Sequence, residues 1–140
     1  MDQEDTIQPE TIENFENLLL KYKWVRLMYE PTAQGIWDRE GRANSLDDLP
    51  VGNTLKQRII AWQETYEELD EDRHEQRPVE WSKFSVEGLE IAKSVKLSLP
   101  DWTIVYFDEQ KFFENSNGDA ILTKRTRDYF EYEIIIENNS

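Results

Sequence analysis

This sequence predicts an α+β fold: a mainly antiparallel sheet of four or five strands with three helices packed on it. Three observations carry the prediction. Three segments repeat apolar residues at the three-and-four spacing of a helix face. Other, shorter segments alternate apolar and polar residues with the two-residue period of a strand. Clusters of glycine, proline, asparagine and aspartate separate the two kinds. The chain has 140 residues, which suits a single domain over 1–140. Its five tryptophans, six tyrosines and six phenylalanines supply the material of a core.

Residues 9–21 read as the first helix. Pro9 suits the opening position, Glu10 and Glu13 suit the positive end of the helix dipole, and Ile12, Phe15, Leu18, Leu19 and Tyr22 form one stripe. Residues 24–29 follow as a strand, with Val25, Leu27 and Tyr29 on one face and Trp24, Arg26 and Met28 on the other. Pro31 ends it, residues 35–38 return as a hairpin, and Gly41 marks the next turn. Residues 43–50 read as a loop bearing Asp47 and Asp48.

Residues 54–69 form the clearest helix, because Leu55, Ile59, Trp62, Tyr66 and Leu69 lie on one seam. Glu64, Glu67, Glu68, Asp70, Glu71 and Asp72 crowd its C-terminal end, which is already partly negative. A local rule broken without an evident structural gain marks a candidate functional surface. Residues 70–78 then read as an acidic linker and residues 1–7 as a flexible N-terminus. The third helix is expected over 85–99, with Ser85 as its N-cap. Gly88 lowers helicity there, which a close backbone approach would explain.

Residues 102–107, Trp-Thr-Ile-Val-Tyr-Phe, are apolar almost without a break, as in a central strand covered on both faces. Residues 111–114 and 120–123 flank Asn-Ser-Asn-Gly-Asp and read as a second hairpin. Residues 129–136 complete the sheet, with Phe130, Tyr132, Ile134 and Ile136 inward and Glu131 and Glu133 toward water.

Charge narrows the function. Thirty acids against sixteen lysines and arginines leave a formal charge of −14. Nucleic acid as a direct partner is therefore disfavoured, since phosphate needs cationic neutralisation. The absence of cysteine removes disulfides, thiol nucleophiles and thiolate metal sites. The N-terminal residues show no secretory pattern and no run approaches the length of a membrane helix, so a cytoplasmic protein is expected.

No catalytic motif stands out. His74, the single histidine, lies in a polar stretch and reads as an exposed loop residue. The acids lack the glycine-and-glutamate spacing of a calcium loop, so no metal and no cofactor is expected. A small-ligand or enzymatic pocket would need Tyr106, Tyr129 or Tyr132 to converge with an acid. Aromatics beside acids instead suit a protein-binding surface, an anchor with electrostatic steering around it. The candidate partner-binding residues are Glu67, Glu68, Asp70, Glu71, Asp72, Asp47, Asp48, Trp37 and Asp38.

Residues 84–109 carry a pattern beyond charge. Phe-x-x-Glu-Gly-Leu-x-x-Ala runs into Leu-Pro-Asp-Trp-Thr-Ile-Val-Tyr-Phe-Asp-Glu, with Ala-Trp-Gln-Glu-Thr-Tyr upstream at 61–66. This resembles small acidic bacterial immunity proteins of toxin–immunity systems, of the contact-dependent inhibition or polymorphic toxin kind. The resemblance covers the middle third to half of the chain and brings no catalytic residue. It implies binding to a cognate toxin domain. An acidic face would fit a basic one, such as a nuclease. An adaptor without inhibitory role is the other binding reading, and unpaired edge strands leave a homodimer open.

Overall fold

The computed structural model describes residues 17–30, 33–71, 78–115 and 130–136. Helix α1 (Leu18–Tyr22) opens this part of the chain. Asn17 caps it, its Oδ1 accepting the Leu20 N–H at 3.1 Å. Lys23 ends it in the left-handed conformation and sends the chain directly into β1 (Trp24–Leu27). Strand β2 (Ile36–Trp37) returns, and a 3-10 turn (Leu46–Asp48) leads to two long helices, α2 (Asn53–Glu71) and α3 (Pro78–Ser98). Strand β3 (Thr103–Phe107), helix α4 (Glu109–Asn115) and strand β4 (Glu131–Glu133) follow.

The sheet order is β2-β1-β3-β4. β2 is antiparallel to β1 and β4 to β3, but β3 runs parallel to β1, with Val25 beside Ile104 and Leu27 beside Tyr106. The sheet is thus mixed rather than mainly antiparallel. Parity is the reason. After β1, the chain reverses at β2, again at α2, again at α3 and a fourth time into β3, and an even number of reversals restores the original direction.

Register partners share a face, so Val25, Leu27, Ile36, Ile104 and Tyr106 all look toward α2 and α3. Ile59, Trp62 and Tyr66 of α2 meet them, as do Phe84, Ile91, Ala92 and Val95 of α3. Of the expected α2 seam, Ile59, Trp62 and Tyr66 are core and Leu55 packs partly buried against it; Trp102 is core as well. Aromatic rings close one end of this core. Tyr66 stacks on Tyr29 at 3.7 Å, and Trp62 stacks on Phe84 at 4.6 Å between centroids.

Gly88 of α3 faces the rings of Tyr106 and Trp62. A Cβ there would lie 2.8 Å from Tyr106 Cε1 and 2.9 Å from Trp62 Cζ2. The close approach expected at this glycine is what the fold shows. The Tyr106 hydroxyl donates to the Ser85 carbonyl at 3.0 Å, and the Trp62 Nε1–H donates to the Phe84 carbonyl at 3.0 Å. Both rings are held in place.

Several expectations change in the folded chain. Helix α3 starts at Pro78, not at Ser85. Proline serves as its opening residue, and Ser85 is buried within the helix, its hydroxyl donating to Asp108 Oδ1 at 2.9 Å. Residues 111–114 are helical rather than a hairpin strand. Asp108 Oδ1 accepts the Lys111 N–H at 3.1 Å, and Phe112 packs between Phe107 and Phe130. Four α-helices thus stand among the described residues where three were expected.

The last strand is shorter than expected, Glu131–Glu133. Phe130 and Ile134 are buried as expected, whereas Ile136 is exposed. Glu131 does not face water. Its carboxylate takes the Arg26 guanidinium at 3.0 Å, with only 11% of its side chain exposed. Residues 9–16 of the first helix, the 1–7 segment, residues 120–123 and His74 lie outside the described residues.

Candidate functional site

The candidate residues fall into two groups at opposite ends of α2. That helix has 19 residues, about 28 Å at a rise of roughly 1.5 Å each. Glu67, Glu68, Asp70 and Glu71 belong to its C-terminal end, beside the end of the sheet where Tyr66 meets Tyr29. Asp38, Trp37, Asp47 and Asp48 lie at the other end, where β2 finishes and the 3-10 turn begins. Asp72 lies outside the described residues. The fold does not join the two groups into one face.

At the C-terminal end of α2, Glu64, Glu67 and Glu68 are exposed, and none of the three is in an ion pair among the described residues. The last turn of α2 carries no basic residue. Three like charges therefore sit near the negative end of the helix dipole, with Glu64 and Glu68 four residues apart on one side.

At the other end, Asp38 is 2% exposed. Gly41, at φ 86°, lets the chain turn back so that the backbone wraps this carboxylate. Oδ1 accepts the N–H groups of Glu40 and Arg42 at 2.9 and 3.1 Å. Oδ2 accepts Asn44 Nδ2 at 3.0 Å and Arg42 Nε at 3.3 Å. Burial pushes the carboxyl upward in pKa. The hydrogen bonds from Asn44, Arg42 and Glu40, with the Arg42 charge, outweigh burial and hold it below the usual carboxylate range. Asp38 thus organises the turn rather than presenting a free charge.

A pH dependence follows. A carboxyl with a folded-state pKa below its unfolded value contributes stability above about pH 4, lost as pH falls through the folded value. Asp38→Asn is expected to destabilise the chain by about 1–3 kcal/mol at neutral pH. The gap to wild type should narrow in urea titrations as pH falls below about 4. A gap constant with pH would show that the charge is not what matters.

Trp37 is half-buried, and its Nε1–H donates to the Met28 carbonyl at 3.0 Å. It lies beside Arg26 on the sheet face away from α2 and α3. Asp47 and Asp48 are exposed in a turn capped by Ser45, whose Oγ accepts the Asp47 N–H at 3.1 Å. Arg42 and Asn44, which shape this end, escaped the sequence reading. The sequence marks only a turn, through the glycine at 41; the reach of the Arg42 and Asn44 side chains to Asp38 is set by the fold.

Two of the three tyrosines do come together near an acid: the Tyr106 and Tyr132 rings meet edge to face at 6.1 Å, and the Asp108 charge acts on both. Tyr106 is fully buried with its hydroxyl engaged by Ser85, and burial, then the Asp108 charge, pushes its pKa up. Tyr129 lies outside the described residues. Among the described residues no three acids or histidines gather as metal ligands, and no helix is long and apolar enough to cross a membrane.

The described fold is that of an acidic α+β protein with exposed carboxylates at the end of a long helix. The family is specific. Residues 23–109 match the family described as Serratia CdiI immunity protein-like, and the chain belongs to that family of contact-dependent inhibition immunity proteins. Its function is immunity toward a toxin, and its partner is a cognate toxin. The comparisons with curated proteins and with solved structures give no match.

Proposed function

We propose that the toxin is a basic nuclease and that this chain neutralises it by occupying the phosphate-binding cleft with the acidic end of α2. The observation that carries this reading is the row Glu64, Glu67 and Glu68, exposed and in no ion pair among the described residues. Asp70, Glu71 and Asp72 extend it in sequence. A cleft that holds phosphate is positive, and a rigid helix end bearing carboxylates presents the charge of the displaced substrate. Asp47 and Asp48, at the same end of α2 as Asp38 and Trp37, make a second contact there. The chain acts as one cytoplasmic domain and blocks by coverage, without chemistry of its own.

The test is kinetic. The purified toxin domain should cleave nucleic acid, and one equivalent of this chain should stop it. The association rate should fall at least about tenfold between low salt and half-molar salt, because steering between opposite charges is screened. A toxin without nuclease activity, or an association rate indifferent to salt, would remove this reading.

A further inference from the structure

We infer that the recess beside the Asp38 turn receives one cationic side chain, an arginine or a lysine, of the toxin. This deepens the proposed function and rests on that reading. The recess has a volume of about 340 Å³ and lies between the end of β2 and the 3-10 turn, within the usual size range of ligand sites, about 300–1,000 Å³. That is ample for one long side chain.

Its walls are fixed from both sides. Asn17 Nδ2 donates to the Asp48 carbonyl at 3.1 Å, joining segments 31 residues apart. Asn44 Nδ2 donates to Asp38 Oδ2 and, at 2.9 Å, to the Arg42 carbonyl, while its backbone N–H donates to the Ile36 carbonyl. A preformed recess needs little ordering on binding.

What the walls still offer decides the ligand. Both Asn44 amide hydrogens are engaged, so its free group is the carbonyl oxygen. Asp48 is exposed, and its carboxylate is in no ion pair among the described residues. Arg42, on the same rim, has its charge offset by Asp38 at 3.3 Å. Arg42 and Ser45 also bring donors to this rim, so charge decides: with Arg42 offset by Asp38, the carboxylate of Asp48 is the charge left over on the lining, and Asp47 adjoins it in sequence. A guanidinium or ammonium group supplies the donors and the sign that this asks for. An anion would instead meet Asp48 on a chain of net charge −14.

The experiment measures binding of the cognate toxin domain to the full chain and to three variants. Asp48→Asn removes the charge with little change of shape, and Ala43→Trp fills the recess. Glu67→Lys tests the other end of α2. Asp48→Asn and Ala43→Trp are each expected to weaken binding at least about tenfold, mainly through faster dissociation. Replacing single arginines and lysines of the toxin by alanine should identify one whose effect disappears in the Asp48→Asn background. If Glu67→Lys weakens binding while Asp48→Asn and Ala43→Trp both stay within twofold of wild type, the recess assignment alone is overturned. If the toxin does not bind the unaltered chain, the proposed function falls and the recess with it. A thermal melt matching wild type shows that each variant is folded.

Discussion

Replacing Glu67 and Glu68 together by lysine is expected to slow toxin association at least about tenfold and to stabilise the free protein by about 0.3–1 kcal/mol. The two effects have opposite signs because they arise from different neighbours. In the free chain both carboxylates face the negative end of α2, with no basic residue in the last turn to offset them. Glu64 adds repulsion from one turn back, four residues before Glu68. Lysine at the same places faces the dipole with the favourable sign. Against a basic cleft the substitution reverses an attraction into a repulsion. Stopped-flow association and urea denaturation of the same variant separate the contributions. A variant that binds normally would move the interface elsewhere, and a less stable one would mean that the acids serve the fold.

Gly88→Ala should destabilise the protein by about 1–3 kcal/mol, although alanine is the better helix former by about 1 kcal/mol. The new methyl group would enter space already held by the Tyr106 and Trp62 rings, at 2.8 and 2.9 Å from their nearest carbons. Neither ring retreats easily. Each is buried, and each has its polar atom tied to the backbone of α3, Tyr106 to Ser85 and Trp62 to Phe84. The atom nearest the added methyl is the Tyr106 hydroxyl oxygen. Tyr106→Phe alone should lose about 1 kcal/mol with its hydrogen bond. In combination with Gly88→Ala it should recover at least that much, because the oxygen causing the worst overlap is gone. Urea midpoints of the two single variants and the double variant measure this coupling. Strict additivity would show that the hydroxyl is not the obstacle.

Much of this site's support was legible in the sequence, and the limits of that reading have physical causes. The α2 seam Ile59, Trp62 and Tyr66 was visible because one apolar face repeats every three to four residues. The central position of β3 was visible because its run is apolar on both faces. In the linear sequence the Asp108–Glu109 pair is no more than adjacent charge after β3. It is the N-terminal signal of α4, with Asp108 accepting from Lys111 and Glu109 in the first turn. Ser85 had the chemistry of an N-cap, but Pro78 and the ring cluster around Trp81 carry the helix upstream of it.

Composition and local periodicity by themselves determined that this chain is an acidic α+β protein with an aromatic core, and that carboxylates gather at the end of α2. Those properties reside in single residues and in spacings of two to four positions, which a linear reading resolves. Tertiary structure alone decided that β3 runs parallel to β1, since direction depends on how many times the chain reverses between them. It also decided that Asp38 is a buried organiser of its turn while Asp48 keeps its charge exposed, because a carboxylate's state depends on which donors the fold brings to it. Finally, it placed the two acidic groups at opposite ends of one helix. Charge is additive along a sequence, but the distance between charges belongs to the path of the chain.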